Sequence, residues 1–167
     1  MLKNIDPVLN ADVLHALCSM GHGDEVVVVD SHYPAEASAR SSVYGKLLRM
    51  EACDSGRAIG ALLSVFELDG AVSHPAARMQ VDNEPQTLPC VQQEVQAAID
   101  KAVGRKLELA PVVRADFYDR AKNSFCVIVT GETRGWGCFI FKKGVILTPD
   151  QPATKNNSTL NMWKQGD

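Results

Sequence analysis

His22 lies between Gly21 and Gly23, and Asp24, Asp30 and His32 follow close behind it. Flanking glycines leave the backbone free to set an imidazole in open space. Histidine, with an unperturbed pKa of about 6.5, is the side chain best suited to move protons near neutrality. The same spacing also fits a turn residue satisfied by backbone or water. Asp30 comes after four valines, Val26 to Val29, so it stands where a buried strand emerges. Sheet ends of that kind commonly line ligand sites in α/β folds, although the carboxylate could equally cap the next turn. His32 and Tyr33, just ahead of Pro34, suit loop packing as well as ligand contact.

A second group comes late in the chain: Arg114, Tyr118 and Arg120, then Trp136 between Gly135 and Gly137. The fork of donors on Arg114 could grip a hydroxyl or a carboxylate, or form a surface ion pair with Asp116 or Asp119. An indole set in so open a backbone resembles a stacking platform for a sugar face, or an interface anchor. Four standard constellations are absent. Gly21-His22-Gly23 lacks the third glycine and the strand-before-helix order of a dinucleotide loop, and Lys142-Lys143-Gly144 reverses the order of a phosphate loop. There is no HExxH pair and no GxSxG elbow. No metal and no cofactor is expected.

The elements that must carry these residues follow from patterning. Asn10 can cap a helix to about Met20 with Val13, Leu14, Leu17 and Cys18 on one face, and the β-branched run 25–29 predicts a buried strand. The spacing predicts a short strand within 44–50, a helix from Asp54 or Ser55 through Phe66, a strand over 77–81 and a helix over 89–103. An extended segment over 107–113, interrupted by Pro111, a short helix near 116–122 and strands over 124–130 and 137–141 complete the set. Helices alternating with apolar, unalternated strands indicate an α/β fold. The expectation is a three-layer α/β/α sandwich around a central, mostly parallel or mixed sheet. Residues 1–148 form one domain in this reading, and 149–167 a polar tail whose only large apolar residues are Met162 and Trp163.

Hydrophobic residues make up 46% and charged residues 22% of the 167, which excludes disorder and a disulfide-built miniprotein. A net charge of −3 without a dense run of Lys and Arg argues against nucleic acid as a partner. No apolar run approaches the roughly 18 residues of a membrane span. The five cysteines form no CxxC pair. Cys18, Cys126 and Cys138, in apolar segments, read as small buried hydrophobes. With no signal-peptide core at the N-terminus, a cytoplasmic protein with reduced thiols is expected.

Several segments together resemble the ribose pyranase and L-fucose mutarotase family (RbsD/FucU). Met20-Gly21-His22-Gly23-Asp24-Glu25 with Asp30 and Pro34 is similar to its opening signature. Phe117-Tyr118-Asp119-Arg120-Ala121, Thr130-Gly131-Glu132 and Lys143-Gly144-Val145 follow in the same order, and Phe66-Glu67-Leu68-Asp69 points to the fucose branch. The resemblance spans residues 1 to about 146. It implies a cofactor-free sugar isomerase that assembles as a pentameric ring or a decamer. A proton-donor role falls on His22, sugar contacts on Asp30 and Arg114, and a sugar-binding tripeptide on Trp136, Gly137 and Cys138. His32 and Tyr118 are further candidates. The family usually carries Tyr-Gly-Asn at the tripeptide. Trp-Gly-Cys here removes a phenolic hydroxyl and a carboxamide, both good sugar hydrogen-bonders.

The chemistry implied is opening and reclosing of a sugar hemiacetal, which needs one proton delivered to the ring oxygen and one taken from the anomeric hydroxyl. His22 would donate, and Asp30 or a water would accept. Alternatives of a different kind remain: D-ribose pyranase activity, or a sugar-binding or regulatory protein on the same scaffold. Residues 22 to 30, if fully extended at about 3.3 Å each, would place their ends roughly 26 Å apart. Either the glycine-flanked turn folds back, or His22 and Asp30 serve sites completed by different subunits.

Overall fold

The computed structural model describes residues 2–147. The polar tail predicted over 149–167, with Met162 and Trp163, lies outside the described residues. Asn10 caps the first helix, α1 (Ala11–Ser19), by accepting the Val13 N–H at 3.1 Å. Asp54 does the same for α3 (Ser55–Leu63), accepting from Arg57 N at 2.8 Å. Gly104, at φ 70°, ends α4 (Cys90–Val103) in the left-handed conformation that glycine adopts without steric cost.

Two further helices, α2 (Ala35–Ser41) and α5 (Arg114–Lys122), and six strands complete the chain: β1 (Glu25–Val29), β2 (Leu48–Met50), β3 (Ala76–Met79), β4 (Ala110–Val112), β5 (Cys126–Thr130) and β6 (Phe139–Lys142). The strands form one sheet in the order β2-β5-β1-β6-β3-β4. Five of them run the same way, and β6 lies antiparallel to both of its neighbours, β1 and β3. The sheet is therefore mixed.

Alternation along the strands divides the core. Val26, Val28, Ile128, Phe139 and Phe141 face one side and pack with Val13, Leu17, Ile59, Leu62, Val95 and Ile99 of α1, α3 and α4. Val27, Val29, Val127 and Ile140 face the other side, with Ala35 and Ala39 of α2 and Phe117 and Ala121 of α5. This is the expected three-layer α/β/α sandwich. A strand buried on both faces shows no polar alternation in sequence, as in the valine run of β1.

Two elements and one cysteine depart from the sequence reading. α2 was not predicted, because its buried face is Ala35, Ser38 and Ala39, helically spaced but too small to register as an apolar stripe. The strand expected within 44–50 shrinks to β2, and Gly45 at φ 68° breaks the segment ahead of it. Cys18 is exposed on α1, whereas Cys126 and Cys138 are buried; all five cysteines are free. Pro111 sits within β4, which is tolerated because β4 is an edge strand. Among the described residues no helix is long and apolar enough to cross a membrane.

Candidate functional site

Because β1 and β6 are antiparallel neighbours, the turn before β1 meets the end of β6. The Gly23 N–H donates to Lys143 O and the Lys143 N–H to Asp24 O, both at 2.8 Å. Lys143 Nζ donates to the carbonyls of Leu17 and Met20, at 2.7 Å each, and so ties the end of α1 to the same point. On the other side of the β6 extension, Asp69 N donates to Lys142 O and Gly144 N to Glu67 O. The end of β6 is thus held between the His22 turn and the Asp69 segment. Gly144 is required there: a Cβ on it would stand 2.4 Å from Leu68 O.

This arrangement brings His22 Nε2 to 3.2 Å from Asp69 Oδ2. The Asp69 side chain is 6% exposed and its Oδ1 accepts the Ala71 N–H at 2.9 Å, whereas the His22 ring is 52% exposed. A buried, fixed carboxylate that accepts the Nε2 proton orients the imidazole and leaves Nδ1 for exchange. Asp69 is visible in sequence only as part of the Phe66-Glu67-Leu68-Asp69 segment, since nothing in its spacing points to His22 across 46 intervening positions.

The remaining site candidates gather at the opposite end of the sheet, where the five parallel strands finish. The Asp30 carboxylate, on a residue 4% exposed, accepts from three donors: Gly137 N at 3.0 Å and Cys138 Sγ at 3.4 Å on Oδ2, and His32 N at 3.1 Å on Oδ1. It therefore caps the turn after β1 and also holds the turn that enters β6. Burial, and then the neighbouring Asp30, push the Cys138 thiol well above its ordinary range, so it stays protonated. Gly137 is confined, because a Cβ there would come within 2.9 Å of Glu132 Cγ and 3.2 Å of Asp30 Cβ. Trp136 has φ 68°, a left-handed conformation that is rare for a bulky residue and marks stored backbone strain.

The loop behind Trp136 is locked electrostatically. Arg134 donates to both carboxylate oxygens of buried Glu132 at 2.8 Å and forms a two-point contact with Glu94 of α4. The Arg134 guanidinium holds the Glu132 carboxyl down at about 2. Arg114 opens α5 directly after β4, at the same sheet end, and pairs with Asp82 at 2.8 Å rather than with the expected Asp116 or Asp119. Two strand spacings separate β4 from β6, about 10 Å. His32 Nε2 lies 2.8 Å from Thr133 O, beside this loop. Tyr118 sits farther along α5, its ring centroid 5.2 Å from that of Tyr33. Arg120, two residues on, binds Glu25 through two contacts of 2.7 and 2.8 Å, at the other end of β1. It belongs to the scaffold.

Asp30, Arg114, Trp136, Gly137 and Cys138 are thus brought to one edge, and His22 to the other. The two lie apart by the length of β1, about 20 Å from residue 24 to residue 30. Among the described residues no group of three or more His, Cys, Asp or Glu side chains is placed to hold a metal ion.

The sequence pattern of the RbsD / FucU transport protein family matches residues 3–146. The L-fucose mutarotase of Actinobacillus pleuropneumoniae is 37% identical over 145 residues, 87% of this chain and 97% of that protein. Protein Atu2016, described as a candidate sugar-binding protein, is 48% identical in its crystal structure, with a TM-score of 0.86 over 88% of this chain and 97% of its own. The fucose mutarotase of Streptococcus pneumoniae, crystallised with L-fucose, is 29% identical with a TM-score of 0.78, covering 87% of this chain and all of that one.

Proposed function

From the premise that this chain belongs to the RbsD / FucU family, we propose that it is an aldose mutarotase acting on L-fucose or a related sugar. The observation that carries the reading is the His22–Asp69 pair, a half-exposed imidazole oriented by a buried carboxylate. His22 gives its proton to the ring oxygen as the bond from that oxygen to the anomeric carbon breaks. A water takes the anomeric hydroxyl proton, and the open aldehyde rotates about one bond. Reversal of both transfers recloses either anomer. Positioned acid–base help of this kind contributes about 10²–10⁴-fold.

Trp136 offers its indole face to the apolar edge of the sugar, and Arg114 offers donors to its hydroxyls. Asp30 has three of its roughly four lone-pair sites occupied, so it contributes one acceptor at most besides holding the Gly137 turn. A separation of about 20 Å prevents His22 and Trp136 of one chain from touching one monosaccharide. The reading therefore includes a head-to-tail ring in which each complete site joins the His22 edge of one copy to the Trp136 edge of the next.

The test is anomeric-proton exchange by NMR with L-fucose, D-ribose, D-galactose and L-rhamnose, with wild type and His22→Ala. Accelerated α–β exchange that His22→Ala abolishes, with sugar affinity retained, supports the mutarotase. Acceleration of pyranose–furanose exchange alone assigns a pyranase instead. The buried Cys138, turned inward to Asp30 where the family usually has Asn, favours a second reading as a sugar-binding protein. Line broadening without accelerated exchange for any sugar would establish that second reading.

A further inference from the structure

Arg78, in the middle of β3, is 3% exposed and forms no ion pair among the described residues. Its guanidinium donates to uncharged acceptors: the carbonyls of Pro85 and Thr87 and, at 3.1 Å, Oε1 of Gln92. Its Nε is the one buried side-chain nitrogen or oxygen among the described residues that has no hydrogen-bond partner. Glu108 attracts the guanidinium from a distance but makes no ion-pair contact, and a buried cation without a contacting counter-charge destabilises a core relative to an apolar residue of the same volume. Its presence needs a compensating role, and its partners indicate one.

Gln92, fully buried on α4, is the hinge of this cluster. It accepts from Arg78, and its Nε2 donates to Met79 O at 2.7 Å and to Trp136 O at 3.0 Å. Its amide thus fastens the carbonyl of the strained, left-handed Trp136. Arg78 fastens the other flank, because Pro85 and Thr87 lie on the loop that also carries Asp82, the partner of Arg114. One buried network therefore ties the indole platform and the arginine fork to the same two side chains. From this we infer that Arg78 and Gln92 are positioning residues that set the spacing of Trp136 and Arg114 on the sugar-facing edge. The inference rests on the mutarotase reading for its activity arm.

The experiment uses full-length protein carrying Trp163→Phe, which leaves Trp136 as the one tryptophan of the chain. Gln92→Glu keeps an acceptor for Arg78 but turns a carboxylate toward the carbonyls of Met79 and Trp136, and Arg78→Met removes the fork at similar volume. Acrylamide quenching of Trp136 fluorescence, measured without sugar, should rise about two-fold in Gln92→Glu. KM for L-fucose exchange should rise at least five-fold in both variants, with kcat within two-fold, because the His22 that acts on the sugar is held by Asp69, which neither Arg78 nor Gln92 touches. Unchanged quenching and KM in folded Gln92→Glu, or kcat falling as much as KM rises, would overturn the inference. If Arg78→Met does not fold, Gln92→Glu decides alone. If wild type exchanges no sugar, the mutarotase reading fails while the quenching result still stands or falls by itself.

Discussion

Replacing Glu132 with Gln removes the charge that fixes the loop between β5 and β6. In the native chain the Glu132 carboxylate accepts from Arg134 N and Nε on one oxygen and from Arg134 Nη2 and Ser55 N on the other. An amide keeps one acceptor and sets two donors against the guanidinium. The native carboxyl titrates at about 2 against an ordinary 4.5, chiefly because of Arg134. Taken at face value the shift is worth about 3 kcal/mol. Arg134 is 41% exposed, and solvent screening reduces this to about 2 kcal/mol. The depressed pKa fixes the sign. The stabilisation is complete above pH of about 4.5 and is lost as the pH falls toward about 2. Glu132→Gln should therefore lower the unfolding midpoint at pH 7 by roughly 4–8 °C. The gap between the two proteins should narrow steadily below pH 4.5 and close near 2. Circular-dichroism melts at fixed protein concentration at pH 7, 4.5, 3.5 and 2.5 measure that gap, and other titrating groups cancel in the difference. A gap independent of pH would refute the assignment of the stabilisation to ionised Glu132.

Two further substitutions probe the other edge. Asp69→Asn leaves His22 in place but allows the amide to present either a donor or an acceptor to Nε2, so L-fucose exchange should slow at least ten-fold in kcat with little change in KM; an unaltered rate would detach Asp69 from the chemistry. Gly144→Ala drives a Cβ to 2.4 Å from Leu68 O and 2.7 Å from Leu68 C, both backbone atoms. The Asp69 segment must then move away from β6, costing about 1–3 kcal/mol of stability together with most of the activity. A melt and an exchange rate both matching wild type would show that the backbone relaxes without disturbing the pair.

Much of this molecule is readable from its residues, and the exceptions have physical causes. The β1 valines and the caps at Asn10 and Asp54 mark their elements outright, because burial on both faces and capping geometry restrict residue type locally. Helix α2 escaped because Ala35, Ser38 and Ala39 pack closely without large side chains. His22 was found through its glycine flanks, but its partner Asp69 arrives through strand pairing with Lys142, a long-range event with no local signature. Arg114 was expected to pair within its own helix. Its partner Asp82 lies on a loop whose course depends on Arg78, a charged residue in a strand that the spacing of apolar positions does not single out. The Trp136 to Cys138 segment stood out by composition, whereas the left-handed backbone of Trp136 became visible only in three dimensions.

The placement of β6 also bears on how the chain reaches its native state. It is the last of the described strands in sequence, yet it occupies an interior position, paired with β1 on one side and β3 on the other. Until residues 139–142 have left the ribosome, the sheet exists as two separate ribbons, β2-β5-β1 and β3-β4. Each of them shows a bare edge of unpaired N–H and C=O groups where β6 will lie. Such edges readily accept a strand from another molecule. Closing this gap requires contacts across more than 100 positions of sequence, a topology that slows folding. Docking of β6 covers both edges in one step, so the exposure of this sheet to other chains ends with the arrival of its last described strand.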